Sequence, residues 1–397
     1  MTLGVYVQVP FCQTKCTYCN FHTAPVAKSL YDPFVDAVVR EIELRGGSSE
    51  EWLKGSVDTV YVGGGTPSLL EPTSLARILQ ALRDNFACAW EEVTLEADPE
   101  TISAEKAAAW RAAGFTRISM GAQSFNDAEL KAAGRMHRRE NIYSAVSALR
   151  AAGFENISCD LIAGLPHQTA ASWENSVSEL LALGPEHISI YMMEIDEGSR
   201  LGREVLAGGS RYSAGALPSD DAMAEFYEQA CERLAAAGYA HYEISNWALV
   251  AQPLLVAQSE SHLDVMHSLR SQHNLKYWQR EPYLGLGAGA HSFSGTHRWA
   301  NAHDAAAYVN AIQQGRIPVE QVEAVGAAEA LNEELFLGLR LLEGIDFADI
   351  ERRYNVKLAP RLHGLRDAGL LTMEGTRAKL AATRLAVSNE VFVELLG

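Results

Sequence analysis

Six times in succession, a short apolar run is followed by an amphipathic stretch, and this rhythm fills the first 240 residues. Apolar runs at 5–9, 57–62, 93–97, 116–120, 157–163 and 187–191 read as strands. Stretches at 31–44, 75–86, 103–113, 139–152, 172–183 and 221–237 read as helices, with Phe34, Val35, Val38 and Ile42 on one face of the first. Ser103 is placed to cap the third helix, and Gly153, Gly184 and Gly238 to close later ones. Repeated β-α-β alternation means a parallel sheet with right-handed crossovers. Sites in such sheets gather at the C-terminal ends of the strands. The polar and glycine-rich segments fall there: a cysteine loop after the first strand, Gly63-Gly64-Gly65 after the second, Glu96-Ala97-Asp98 ending the third. A doubly wound sheet would instead want a phosphate-binding glycine pattern opening the first helix. Gly285-Leu286-Gly287-Ala288-Gly289 does not supply it, having neither the G-x-G-x-x-G spacing nor the β-α-β setting.

The rhythm breaks after residue 240. Residues 247–272 are weakly patterned and read as an inserted or mobile segment, within an extension over 241–327. Residues 273–300 are dense in aromatic and histidine side chains. From 328 to 397 the pattern is helical again: Leu335, Leu339 and Leu342 share a face, and further helices are expected at 347–353 and 358–367. This reads as a small, mainly helical C-terminal domain, with a winged helix among its forms. A DNA-binding role for it is disfavoured, because residues 331–397 hold nine basic against ten acidic residues and no basic stripe. The whole chain of 397 residues carries Lys+Arg 33 against Asp+Glu 50, a net charge of −17, which argues against non-specific nucleic-acid binding. Apolar residues make up 48%, enough for a large core. No apolar run has membrane-spanning length, and the N-terminus lacks the basic stretch and apolar core of a signal peptide, so a cytoplasmic protein is expected.

Three of the six cysteines crowd one loop as Cys12-x3-Cys16-x2-Cys19. Cys88, Cys159 and Cys231 are scattered and read as small buried hydrophobes. A disulfide framework does not suit a chain of this size without an export signal. Structural zinc usually takes four ligands, often as two pairs, and no second pair follows here. A 4Fe–4S cubane is normally held by four thiolates. With three, one iron lacks a protein ligand and can bind something else.

The cysteine spacing, Tyr6 on the strand before it and Gly63-Gly64-Gly65-Thr66-Pro67 after the second strand together resemble the radical S-adenosylmethionine (SAM) superfamily. Within it, nearly the whole chain resembles the oxygen-independent coproporphyrinogen III oxidase group, and in that group the HemW-type haem chaperones. The resemblance is carried further by 118–125 (Ile-Ser-Met-Gly-Ala-Gln-Ser-Phe), 160–166, 242–246, His273-Asn274-x-x-Tyr277-Trp278 and 287–292, in that order. It implies a partial (β/α)6 TIM-like barrel with the small C-terminal domain appended. It also implies that Cys12, Cys16 and Cys19 hold a 4Fe–4S cluster whose open iron takes the amino and carboxylate groups of SAM. One electron passed to the sulfonium would release methionine and a 5′-deoxyadenosyl radical. By the same resemblance Gly64, Gly65 and Thr66 pass close to the methionine portion. Glu96, Gln123, Arg135 and Asp160 match SAM-contacting positions, Asp160 suiting ribose hydroxyls and Arg135 the carboxylate. Tyr18 should lie near the adenine.

Two functions follow from the resemblance: oxidative decarboxylation of coproporphyrinogen III, or carriage of haem to respiratory haem proteins. Oxidases of the group extend the motif to a fourth cysteine, where this chain has Phe21, and carry a longer segment before the cysteine loop. The HNxxYW motif marks the HemW branch. His273 within it is the first haem-ligand candidate and His291 the second, since imidazole ligates haem iron and aromatic rings stack on the macrocycle. His262 and His267 lie in the weakly patterned segment, whose length departs from most relatives. The expectation is a haem chaperone that meets respiratory acceptors transiently at the membrane without an anchor. Homodimerisation stays open.

Overall fold

The computed structural model describes residues 2–250 and 269–396. Strands β1 (Thr2–Val9), β2 (Ser56–Gly64), β3 (Cys88–Ala97), β4 (Arg117–Gln123), β5 (Ile157–Ala163) and β6 (His187–Met192) form its centre. Between them run α1 (Tyr31–Gly46), α2 (Pro72–Asn85), α3 (Ala104–Ala113), α4 (Asp127–Ala132), α5 (Arg139–Ala151) and α6 (Ala170–Leu183). After β6 come α7 (Arg200–Leu206) and α8 (Asp220–Ala236). Neighbours from β1 to β6 pair in parallel, as the alternation requires. Ser103 caps α3 by accepting from Lys106 N at 3.2 Å. The α4 helix was not foreseen, since six residues are too few to show a helical period.

Period-two alternation sorts each central strand into two faces. Leu3, Val5, Val7 and Val9 are buried in one core with Phe34, Val35, Val38 and Ile42 of α1. The other face is polar: Tyr61, Glu96, Ser119, Asp160 and Tyr191 stand on β2 to β6 in turn. Register pairs Glu96 with Ser119, and Asp160 with both Gly121 and Ser189.

The 241–327 stretch extends both edges of this sheet. Beyond β6 lie β8 (Asn246–Leu249) and β7 (Tyr239–Glu243), both antiparallel. Helix α9 (Gln272–Trp278) leads into β9 (Tyr283–Leu286), which pairs with β1 in parallel. Then follow β10 (His291–Phe293), β11 (His297–Asn301), α10 (Ala305–Gln313) and β12 (Val319–Ala324). The described residues thus give one twelve-stranded sheet in the order β12-β11-β10-β9-β1-β2-β3-β4-β5-β6-β8-β7, open at both ends. Trp247, expected to begin the unpatterned segment, is instead buried in β8 opposite Ile188. His262 and His267 lie outside the described residues.

The C-terminal region comprises α11 (Ala327–Arg340), β13 (Ile345–Asp346), α12 (Phe347–Tyr354), α13 (Ala359–Asp367), β14 (Leu371–Glu374), β15 (Arg377–Leu380) and α14 (Ser388–Leu396). Two helices followed by the β14–β15 hairpin, with β13 on its flank, give the winged-helix pattern. Leu335, Leu339 and Phe392 join the barrel's own apolar core. No helix among the described residues is long and apolar enough to cross a membrane.

Candidate functional site

The cysteine loop leaves β1 at the mouth of the polar face. Backbone bonds pin its ends together, Cys12 N to Ala24 O at 3.2 Å, and anchor its middle, Thr17 N to Ala133 O at 3.0 Å. Thr66 N donates to Phe11 O at 2.6 Å, tying the loop after β2 to it. That close passage requires Gly65, where a Cβ would stand 2.4 Å from Phe11 O. Cys12, Cys16 and Cys19 are free, half-buried thiols facing one cavity. Burial pushes the Cys12 and Cys16 thiols up from their usual range, with the Arg135 charge opposing this at Cys16. Among the described residues no set of three or more His, Cys, Asp or Glu side chains converges on a single ion. Thiolates that each take a different corner of a cubane need not converge.

The cavity measures about 790 Å³ and sits at the C-terminal ends of the strands. Glu96 is held from two sides, accepting from Tyr61 Oη and from Gly64 N, both at 2.9 Å. Burial pushes its carboxyl up to about 7, against those two bonds. Asp160 is raised to about 6, again by burial first. Arg135 Nη2 donates to Asp98 Oδ1 at 2.5 Å and to Gly121 O at 3.1 Å, while Nη1 lies 3.5 Å from Cys16 Sγ. Thr66 Oγ1 donates to the other Asp98 oxygen at 3.1 Å. Asp98 therefore organises the wall between the cysteine loop and Arg135. Sequence reasoning passed over it, although Glu96-x-Asp98 shows the period-two spacing of residues on one strand face.

Two acceptor atoms in the wall are buried and without hydrogen-bond partners, Asp160 Oδ1 and Gln123 Oε1, as are two donors, Arg135 Nε and Arg340 Nε. Gln123 also has a left-handed backbone, φ 57°, at an irregularity in the β4–β5 pairing, the kind of strain found at binding sites. Tyr18 lines the same cavity and packs against the small apolar cluster that contains Leu165, Met193 and Leu201. Free acceptors beside the thiols, a ring and a glycine-lined strand end are a donor set that fits a cluster and SAM. The C-terminal region closes the mouth: Arg340 of α11 and residues 386–390 at the start of α14 line the cavity.

The structure brings Tyr18, Gly64, Gly65, Thr66, Glu96, Gln123, Arg135 and Asp160 together with the three cysteines. Tyr6, His273 and His291 are not among the residues lining that cavity. Tyr6 lies deeper on the polar face, its ring 6.0 Å from that of Tyr61 and 6.3 Å from that of His273. His273 is fully buried, because α9 plugs the lower end of the polar face. Both its ring nitrogens are engaged, Nδ1 with Thr59 Oγ1 and Nε2 with Tyr277 Oη, each at 2.9 Å. Burial lowers its pKa to about 3, so the ring is neutral. Trp278 of the same motif faces the Arg340 guanidinium at 4.3 Å, linking α9 to the cavity wall. His291 is exposed at the start of β10.

A model of the radical SAM superfamily matches residues 6–180, and one of the HemN C-terminal domain matches residues 326–384. The heme chaperone HemW of Mycobacterium tuberculosis is 34% identical over 398 residues, covering 99% of this chain and 95% of its own. The heme chaperone HemW of Bacillus subtilis is 31% identical over 401 residues, covering 99% of each. Among solved structures, coproporphyrinogen III oxidase (HemN) from Escherichia coli, a radical SAM enzyme, superposes with a TM-score of 0.81 at 21% identity, covering 100% of this chain and 89% of that one. This last likeness is one of fold.

Proposed function

Because the chain belongs to the HemW family of radical SAM proteins, we propose that it is a haem chaperone, binding haem and delivering it to respiratory haem proteins. The observation that carries this reading is kinship over the full length: relatives bearing the chaperone's name align with 99% of the chain, barrel and C-terminal domain together. In this reading Cys12, Cys16 and Cys19 hold a 4Fe–4S cluster, with SAM on the open iron. The cluster and SAM supply one-electron chemistry when bound. The chain's residues do the rest. Asp160 Oδ1 and Gln123 Oε1 offer free acceptors to SAM's hydroxyl and amino groups, and Arg135 holds Asp98 in the wall. Work is cytoplasmic, with acceptors met transiently at the membrane.

Phe21 supports carriage over decarboxylation. It is 64% exposed at the cavity rim, where the oxidase motif has its fourth cysteine, and an apolar ring cannot do the chemistry of a thiol. The test is anaerobic. Reconstituted protein receives SAM and reductant, then coproporphyrinogen III in one sample and haem in another. Stable haem absorbance with no decarboxylated product is the expected result. Product without stable haem binding would make the protein an oxidase.

A further inference from the structure

Resting on the haem-chaperone reading, we propose that the haem iron is ligated on the outer flank of the cysteine loop, by the exposed rings of His291 and His22, with His303 packed against His22 as a positioning residue. Three imidazoles meet there from distant parts of the chain. His22 follows Cys19 by three residues, His291 opens β10, and His303 follows β11. The His22 and His303 ring centroids lie 4.3 Å apart, those of His291 and His303 6.4 Å apart.

His22 and His291 are exposed, and neither ring hydrogen-bonds to another of the described residues. His303 Nδ1 is buried and unpartnered. Gly289 makes room for it, since a Cβ there would stand 3.0 Å from that nitrogen. Partial burial and the neighbouring rings lower the pKa of both His22 and His291, which keeps the iron-binding lone pairs free at neutral pH. Two neighbours suit the rest of a haem. Phe21, next in sequence to His22, exposes most of its ring for the macrocycle. Lys15 lies close enough to His22 to repel its protonated form, and offers a cation for a propionate.

The contrast with His273 sharpens the argument. A planar macrocycle cannot reach that ring without expelling α9 from the barrel and breaking the bonds to Thr59 and Tyr277. At the proposed site both ligand rings are already exposed. The position also gives the family's cluster a physical connection to cargo, because His22 and Cys19 belong to one short loop. A change of cluster or SAM occupancy that shifts this loop shifts an iron ligand with it.

The test titrates ferric haem into full-length, cluster-reconstituted protein under anaerobic conditions, reading the Soret band and the low-spin ferric EPR signal. Cluster iron and SAM affinity serve as fold controls for every variant. The double variant His22→Ala/His291→Ala should bind haem at least about tenfold more weakly and lose the low-spin signal. His303→Phe, which keeps the packing, should stay within about threefold of the parent. His273→Gln should keep the parent spectrum. Haem binding unchanged in a folded double variant would overturn the site, and so would loss of the spectrum in a folded His273→Gln. Zn²⁺ binding that depends on the three histidines, with haem binding unaffected by them, would reassign the cluster to a free metal ion. Failure of the unmodified protein to bind haem at all would instead overturn the chaperone reading itself.

Discussion

Glu92 on β3 accepts the backbone N–H of His273 at 3.1 Å, and its second oxygen accepts that of Gln272 at 3.0 Å. One buried carboxylate thus accepts two of the N–H groups that open α9, and fixes the HNxxYW segment inside the barrel. Glu92→Gln leaves one acceptor oxygen for two donors and places an NH₂ group among them. The expected loss is about 2 kcal/mol of unfolding free energy, read by chemical denaturation. An unchanged midpoint would mean that α9 is held by its side chains alone.

The approach of the β2 loop to the cysteine loop sets a second expectation. The obstacle to a side chain at Gly65 is backbone, Phe11 O, which has no rotamer to turn. Gly65→Ala must therefore push Phe11, and Cys12 with it, out of place. Stability should fall by about 1–3 kcal/mol, and iron per chain after reconstitution should drop well below the parent's. Parent-level iron would show that the loop tolerates the shift.

Stability of the cluster-free protein should depend on pH through the two raised carboxyls. Glu96, with an ordinary value of 4.5, stands near 7 when folded, and Asp160, ordinarily 3.8, near 6. Folded protein therefore binds more protons than unfolded protein between these limits, and its stability falls as pH rises from about 4 to 7. Well below the ordinary values of 3.8 and 4.5 both groups are neutral in either state and the penalty is absent. Glu96→Gln removes its share, on the order of 3 kcal/mol between pH 4.5 and 7. Denaturant titrations at several pH values check this. The same slope in parent and variant would place Glu96 outside the effect.

Replacing Cys12, Cys16 and Cys19 with Ala should abolish the 4Fe–4S cluster while the barrel remains folded, since none of the three belongs to the apolar core. Iron, sulfide and circular dichroism are the readouts. Retained iron and sulfide would remove the three thiols from the cluster assignment.

The central barrel was legible because its information is local. Each strand alternates with period two and each helix repeats near 3.6. The edges were not. Strands β7 to β12 are three to six residues long, and β9 finds its partner in β1 at the other end of the sequence. No window of residues holds that pairing. The cavity residues were found through motifs, whereas Asp98 and Arg340 were missed. Asp98 matters through its contacts with Arg135 and Thr66, which only the fold assembles. Arg340 reaches the cavity from a domain that carries no motif for it. His22 and His303 were missed for a related reason, since each looks ordinary alone.

The pairing of β1 with β9 has a consequence for how the protein is made. The strand that leads into the cysteine loop ends at Val9, and its second neighbour begins only at Tyr283, so the two leave the ribosome far apart in time. At 5–20 residues per second the interval is roughly ten to fifty seconds. Glu41 of α1 shares the delay, since its partners Gly287, Asn301 and Tyr308 are all translated afterwards. Until they arrive, the nascent barrel has an open flank beside the three thiols. Only residues from Tyr283 onward seal that wall.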